Sequence, residues 1–274
     1  GKGITDIVGT LLPINSTGED CYLHDLEHIY QINSSLNELE LIVMVYYENL
    51  ESRNPFMLQN PELHYLDNAA TTMVAPEVAD VIDKAMREHW ANPSSLYGPG
   101  ARSEEALNAA RAAVARTLGC KPKELYFTSC GSESNNLALL GAVRTRTFGK
   151  GIVVSGFEHP SVQRPLEELA KQGYNVTVVK PRPDGTLDIN EMLEHVDKNT
   201  ILVACMMVNN EVGTRNDVER LAAEVKRRNS RTIVHVDAVQ AWMRVPIKLT
   251  NIDTLSVSGH KIHAPKGHWR AVSF

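Results

Sequence analysis

The sequence predicts an α/β fold, a mostly parallel sheet with helices on both faces. Two observations carry this reading. From Tyr65 onward, short β-rich apolar runs alternate with stretches of helical periodicity, the pattern of consecutive βαβ units. Polar and glycine-rich clusters fall at the carboxyl ends of the successive strands, the edge where open α/β sheets bind ligands. Composition fits a globular chain. With 274 residues, 43% hydrophobic and 22% charged, it can fill one large domain or two small ones.

In order, the first segment is unlike the rest. Leu23, Leu26, Ile29 and Tyr30 recur at helical spacing before a break at Asn33-Ser34-Ser35, and Leu36 to Leu50 is apolar with acidic flanks. No chemical motif occurs there, so residues 1–60 are expected to be a partly helical extension, and residues 61–274 the domain that carries the site. Leu107, Ala110, Val114 and Leu118 share one helix face, closed by Gly119. A strand at Leu125–Phe127 and a helix from about Ser132 follow. Then come a strand at Ile152–Val154, a helix over Leu166–Ala170 closed by Gly173, and a strand at Val176–Val179. Asp188-x-x-Glu191 opens another helix in the manner of a capping box. Strands at Ile201–Met207, Thr232–Val236 and Ile252–Val257, with a helix at Val218–Val225, complete the pattern.

Charge and cysteine usage narrow the function. The net charge is -5 with no basic block, which speaks against nucleic acid or an anionic membrane surface as a partner. The longest apolar run, Leu41 to Tyr47, is too short to span a bilayer. Cys21, Cys120, Cys130 and Cys205 form no C-x-x-C pair, so reduced thiols and a cytoplasmic location are expected. No signal-peptide pattern opens the chain, and the start at Gly-Lys-Gly rather than Met reads as other than a natural N-terminus.

The strand-end clusters hold the candidate chemistry. Lys261, in Ser258-Gly259-His260-Lys261, lies on a tight turn just past a strand, where an amine of lowered pKa can form a Schiff base with an aldehyde. Read blandly, it is a surface turn lysine. Lys266, in Pro265-Lys266-Gly267, is the rival, farther from the strand end. Gly131 and Ser132 open a helix directly after a strand and can cradle a phosphate, or serve as a plain N-cap. Asp237 follows an apolar strand, where a buried carboxylate needs a cationic partner such as a protonated pyridine nitrogen; otherwise it is a capping residue. His159 can stack on a flat cofactor or transfer a proton, or be an ordinary loop histidine. His235, inside a strand, reads as a satisfied structural histidine. An amine, a carboxylate, a stacking ring and a phosphate cradle together describe a pyridoxal 5'-phosphate site.

These motifs bring a family into view. Tyr65-Leu66-Asp67-Asn68-Ala69-Ala70-Thr71-Thr72, Asn92-Pro93-Ser94-Ser95, Gly131-Ser132-Glu133-Ser134-Asn135-Asn136, Glu158-His159, Asn209-Asn210-Glu211, His235-Val236-Asp237-Ala238-Val239-Gln240 and Ser258-Gly259-His260-Lys261 occur in one order. In this, Tyr65 to about Gly267 resembles the cysteine desulfurases of the class V aminotransferase family. The resemblance implies the large domain of PLP-dependent transferase fold type I. It implies Lys261 as the cofactor lysine, Asp237 as partner of the pyridine nitrogen, and His159 as the stacking, proton-transferring residue. Gln240 and Asn210 would lie at the ring hydroxyl, and Gly131, Ser132, Ser258 and His260 would bind the phosphate. It also implies conversion of L-cysteine to L-alanine with sulfur passed through a persulfide to an acceptor, such as an iron–sulfur scaffold protein, in a homodimer.

The chain departs from the family at several points. Ser132 replaces a common Thr, Cys130 a small Gly, Asn216 a usual Gln and Ala264 a usual Gly. Past Lys261 the family continues with a further strand, a loop bearing the nucleophilic cysteine, and a small C-terminal domain with a substrate-carboxylate arginine. His268–Phe274 does not read as that continuation, and no cysteine follows Lys261. The expectation is a C-terminally truncated member with weak or absent desulfurase activity and an uncovered sheet edge. Cys130, in a tight loop, is a poor substitute for a persulfide carrier that needs reach. Two other readings stay open: a related PLP enzyme such as a selenocysteine lyase, and a non-catalytic scaffold that keeps the fold.

Overall fold

The structure is a computed structural model and describes residues 65–266 together with the backbone of 271–273. The extension expected over residues 1–60 lies outside the described residues. Asp67–Phe274 forms one compact unit. Its helices are α1 (Pro76–Glu88), α2 (Gly98–Leu118), α3 (Gly131–Thr145), α4 (Pro160–Lys171), α5 (Ile189–Glu194) and α6 (Val218–Arg228). Its strands are β1 (Leu125–Phe127), β2 (Gly151–Ser155), β3 (Asn175–Val179), β4 (Thr200–Met206), β5 (Ile233–Asp237), β6 (Thr254–Ser256) and β7 (Ala271–Ser273).

The strands form one sheet in the order β1-β7-β6-β5-β4-β2-β3. The pairs from β3 through β2, β4 and β5 to β6 are all parallel. Side-chain alternation explains how both faces are covered. On β2, Ile152 and Val154 pack with α3 and α4 through Leu139, Val143, Val162 and Leu166. Val153 points the other way, into a second core with Met192 of α5 and Leu221 and Val225 of α6. β4 repeats the pattern, Leu202 and Ala204 on one face and Val203 and Cys205 on the other. The mostly parallel sheet with helices on both faces is thus the architecture observed.

Local signals set the helix ends. α2 stops where Gly119 takes a left-handed conformation at φ 75°. The Asp188 side chain accepts from the backbone N–H groups of Asn190 and Glu191 to start α5, and Asp217 accepts from Arg220 to start α6. No helix among the described residues is long and apolar enough to cross a membrane.

Three points differ from the sequence reading. α1 was not expected, although Val78, Val81, Ile82, Ala85 and Met86 recur at helical spacing; the stripe is at most half-buried, and none of its residues is fully buried. The strand expected over Ile252–Val257 is shorter, Thr254–Ser256; just before it the Asp253 side chain accepts from Val234 N–H and Lys226 Nζ, while its backbone N–H donates to the Val234 carbonyl. The third is a correction. Segment 268–274 was expected not to continue the sheet, yet Ala271–Ser273 forms β7, antiparallel to both β1 and β6. β7 supplies the hydrogen bonds that join β1 to the parallel strands.

Candidate active site

Period-two alternation places His235 and Asp237 of β5 on the same face as Ile233, the face covered by α3 and α4. Asn135, one turn into α3, meets them there. Its Nδ2 lies 2.9 Å from Asp237 Oδ2 and 2.9 Å from Ser161 Oγ. Its Oδ1 lies 3.1 Å from His235 Nε2, and His235 Nδ1 lies 2.9 Å from Thr254 Oγ1 on the neighbouring strand β6. Ser161, in the first turn of α4, reaches His159 Nδ1 at 2.8 Å with its hydroxyl and donates to it at 3.1 Å with its backbone N–H. His159 is the N-cap of α4, held there by Pro160 at the first helical position. His159 and Asp237, expected as site residues, are therefore joined through Asn135 and Ser161.

Asp237 is only 2% exposed. Its Oδ1 accepts from Val239 N–H at 3.0 Å, and among the described residues no cationic side chain pairs with it. Burial of a carboxylate on such terms is costly. Nearby, the Ser256 and Ser258 hydroxyls are buried with no partner among the described residues. His235 is the satisfied structural histidine expected, with its pKa pushed down to about 4 by burial.

A second cluster surrounds Lys261. The segment Gly259–Lys261 makes a single 3-10 turn after β6. Lys261 Nζ donates to the carbonyls of Ala69 and Ala70, both at 2.6 Å. Gln240 Nε2 donates to the same Ala69 carbonyl at 2.8 Å, and Gln240 Oε1 accepts from Arg244 at 2.8 Å. Arg244 also donates to the Lys261 carbonyl at 2.6 Å. His260 Nδ1 sits 3.1 Å from Thr71 Oγ1, and its carbonyl accepts from both Thr72 N–H and Thr72 Oγ1. The turn from Asp237 to Gln240 connects the two clusters along the chain. Lys266 lies in an exposed turn.

The remaining expected residues are placed as follows. Gly131 is buried and Ser132 half-buried at the start of α3, which packs against β6. Cys130 caps that helix, its Sγ accepting from Glu133 N–H at 3.4 Å. Asn210 is half-buried; its neighbour Asn209 instead ties the turn, accepting from Glu211 and Val212 N–H and donating to the Phe157 carbonyl. Asn216 is buried and donates to the Met206 carbonyl at 2.7 Å.

Sequence reading missed Asn135, Ser161 and Glu158 as members of the site. Asn135 and Glu158 lie inside motifs singled out above, and Ser161 follows His159 by two residues, but each earns its place through long-range contacts. Glu158 is fully buried. Its carboxyl accepts from Ser155 Oγ and from Met206 N–H, and Oε2 has no partner among the described residues. Burial, aided by the nearby charge of Asp237, pushes its pKa up to about 8.

The donor set suits a flat, cationic-nitrogen ring bearing a phosphate. Asp237 offers a buried carboxylate that lacks a cation, Ser258 an unspent buried hydroxyl, Gly131 and Ser132 a helix start, and Lys261 an amine. Pyridoxal phosphate fits these requirements.

Residues 64–268 match the aminotransferase class-V family. A cysteine desulfurase of Trichormus azollae is 42% identical over 205 residues, which is 74% of this chain and 51% of that protein. Among solved structures, a NifS-like protein matches with TM-score 0.74 and 37% identity, over 77% of this chain and 58% of that one. The structure described as SspA in complex with cysteine matches with TM-score 0.72 and 33% identity, over 77% and 61%. The chain spans about half the length of the curated relatives it matches. With the family match running over three quarters of its sequence, the chain belongs to the aminotransferase class-V family.

Proposed function

We propose that this chain carries the cofactor site of a pyridoxal-phosphate-dependent cysteine desulfurase, which converts L-cysteine to L-alanine and hands the sulfur to an acceptor. The observation that carries the reading is Asp237, a buried strand-end carboxylate with no cation, tied through Asn135 and Ser161 to His159. Similarity to a cysteine desulfurase, and to SspA, whose structure holds cysteine, supports this choice of reaction and substrate.

Bound pyridoxal phosphate supplies an electron sink that weakens bonds at the substrate carbon. The chain's own residues do the rest. Asp237 holds a proton on the ring nitrogen. Lys261, whose Nζ donates to the Ala69 and Ala70 carbonyls in this structure, would hold the aldehyde end of the group. His159 presents its imidazole to the ring face and moves protons at Nε2. Gly131, Ser132, Ser258 and His260 bind the phosphate, and Asn210 and Gln240 flank the ring hydroxyl. Sulfur acceptance falls to a thiol other than Cys205, which is buried, or Cys130, whose Sγ caps α3.

Val81, Met86, Trp90, Leu96 and Tyr97 are all exposed apolar residues, and Trp90 is 73% exposed. Exposed apolar side chains of this size suit a homodimer, in which a partner would cover them. Among the described residues no disulfide joins Cys120, Cys130 and Cys205, which suits the cytoplasm. An iron–sulfur scaffold protein is the acceptor proposed.

The test is visible absorbance. Purified protein incubated with pyridoxal phosphate is expected to gain a band that Lys261→Ala abolishes, and alanine release from cysteine is then assayed. A folded protein that gains no band overturns the reading in favour of a scaffold.

A further inference from the structure

The three side-chain hydrogen bonds of Asn135 have only one consistent direction. Asp237 Oδ2 is an acceptor, so the Asn135 atom facing it at 2.9 Å is the amide nitrogen. That amide nitrogen has a second hydrogen, which points at Ser161 Oγ at 2.9 Å. Ser161 Oγ thus accepts, and its own hydrogen is free to donate to His159 Nδ1 at 2.8 Å. The Ser161 backbone N–H donates to the same Nδ1 at 3.1 Å, and a backbone N–H cannot reverse its role. His159 Nδ1 is therefore an acceptor of two bonds, and the imidazole carries its hydrogen on Nε2. In the other direction, Asn135 Oδ1 must accept, so His235 also bears its hydrogen on Nε2 and takes Thr254 Oγ–H at Nδ1.

Every donor thus runs one way, from Thr254 through His235 to Asn135, and there the path forks to Asp237 and to Ser161 and His159. Thr254, His235, Asn135 and Asp237 are all at most 4% exposed, whereas His159 emerges at the surface. Away from water, such a chain has no substitute partners, so each member fixes the next.

Resting on the reading that His159 and Asp237 face the cofactor, we infer that Asn135 is the positioning residue of the site: with one amide group it orients the Asp237 carboxylate and, by occupying Ser161 Oγ, aims the Ser161 hydroxyl at His159 Nδ1, where it reinforces the tautomer that the Ser161 backbone N–H favours. The same proton arrangement then serves both faces of the task. Nε2–H of His159 is the proton available outward, and Asp237 Oδ2 is held in place without a cation.

The test uses the full chain without cofactor and reads the histidine ring nitrogens by 15N NMR. In the native sequence, His159 and His235 are expected as single Nε2–H tautomers. Asn135→Asp replaces the amide donor by a second acceptor, drawing the Ser161 hydroxyl away from His159. His159 then keeps only the backbone bond at Nδ1, loses the hydroxyl bond that reinforced it, and is expected to show a mixture of tautomers. Ser161→Ala is expected to move the ratio in the same direction, and Ser161→Thr, which keeps the hydroxyl, to restore it. If Asn135→Asp does not fold, as judged by circular dichroism, the Ala and Thr variants decide alone. His159 showing one unchanged tautomer in every folded variant, or the Nδ1–H form in the native chain, overturns the inference. With pyridoxal phosphate added, Asn135→Asp sets a second carboxylate beside Asp237 and is expected to weaken binding at least about tenfold. Failure of the native chain to bind pyridoxal phosphate would sink the functional reading and still leave the tautomer result to judge Asn135.

Discussion

Glu158 and Met206 are tied across two adjacent strands of the sheet, Oε1 of the buried carboxyl accepting the Met206 backbone N–H at 2.5 Å. The bond locks the exit of β2 to the end of β4, just where His159 and Asn209 leave the sheet. Because burial raises the folded-state pKa to about 8 from an ordinary 4.5, the folded protein holds a proton that the unfolded chain releases at lower pH. The sign follows. Stability from this group is full below about pH 4.5 and falls as pH rises toward 8, by on the order of a few kcal/mol in total. Urea midpoints at pH 6 and pH 8.5 should show this fall. Glu158→Gln, which keeps an acceptor for Met206 without the titration, should flatten it; an equally steep fall in the variant would refute the assignment.

Lys261 and Lys266 differ in what holds them. Lys261 Nζ is bound by two carbonyls beside Gln240, whereas Lys266 sits in an exposed turn. Borohydride treatment in the presence of pyridoxal phosphate should attach the cofactor to the peptide containing Lys261. Lys261→Ala should remove the label and Lys266→Ala should leave it. Labelling at Lys266 in the native protein, read by mass spectrometry, would reassign the site.

Local features were legible in the sequence, and distant pairings were not. The Asp188 cap, the Gly119 stop and the lysine turn after β6 each depend on a few adjacent residues, and each stands where its motif put it. α1 was overlooked although it was legible: Pro76 stands at its first position, and Val78, Val81, Ile82, Ala85 and Met86 recur at helical spacing. β7 is three residues long and owes its place to its pairing with β6 and with β1, the latter far earlier in the chain. Asn135 lay inside a quoted motif, yet its role is written in contacts to Ser161, His235 and Asp237 that no local pattern encodes. Glu158 likewise looked like a companion of His159 until its burial and its bond to β4 were seen.

Asn209 sets the turn after β4. It is buried, and its side chain accepts two backbone N–H groups, from Glu211 at 2.8 Å and Val212 at 2.9 Å, while donating to the Phe157 carbonyl at 3.0 Å. Asn209→Ala leaves three backbone groups without these partners, with a cost of about 2–3 kcal/mol. The half-buried Asn210, proposed to flank the cofactor ring, rides on that turn. Asn209→Ala should therefore lower the urea midpoint and weaken pyridoxal phosphate binding together, whereas Asn210→Ala should weaken binding with little change in midpoint. Equal loss of stability in both variants would show that Asn210 is structural.

Cys205 and Cys130 should separate cleanly by reactivity. Cys205 is 1% exposed on β4, and burial first, then the charge of Glu158, raises its pKa well above the ordinary thiol value. Its S–H points to the Met206 carbonyl. Thiolate is the reactive form, so a thiol both buried and held protonated reacts only when the sheet opens. Cys130 is half-buried at the start of α3 and accessible without unfolding. Alkylation of the native protein with iodoacetamide at pH 8, followed by peptide mapping, should modify Cys130 while leaving Cys205 intact, and urea should expose Cys205. Modification of Cys205 in the folded protein at the rate of Cys130 would mean that β4 opens far more readily than its central place in the sheet implies.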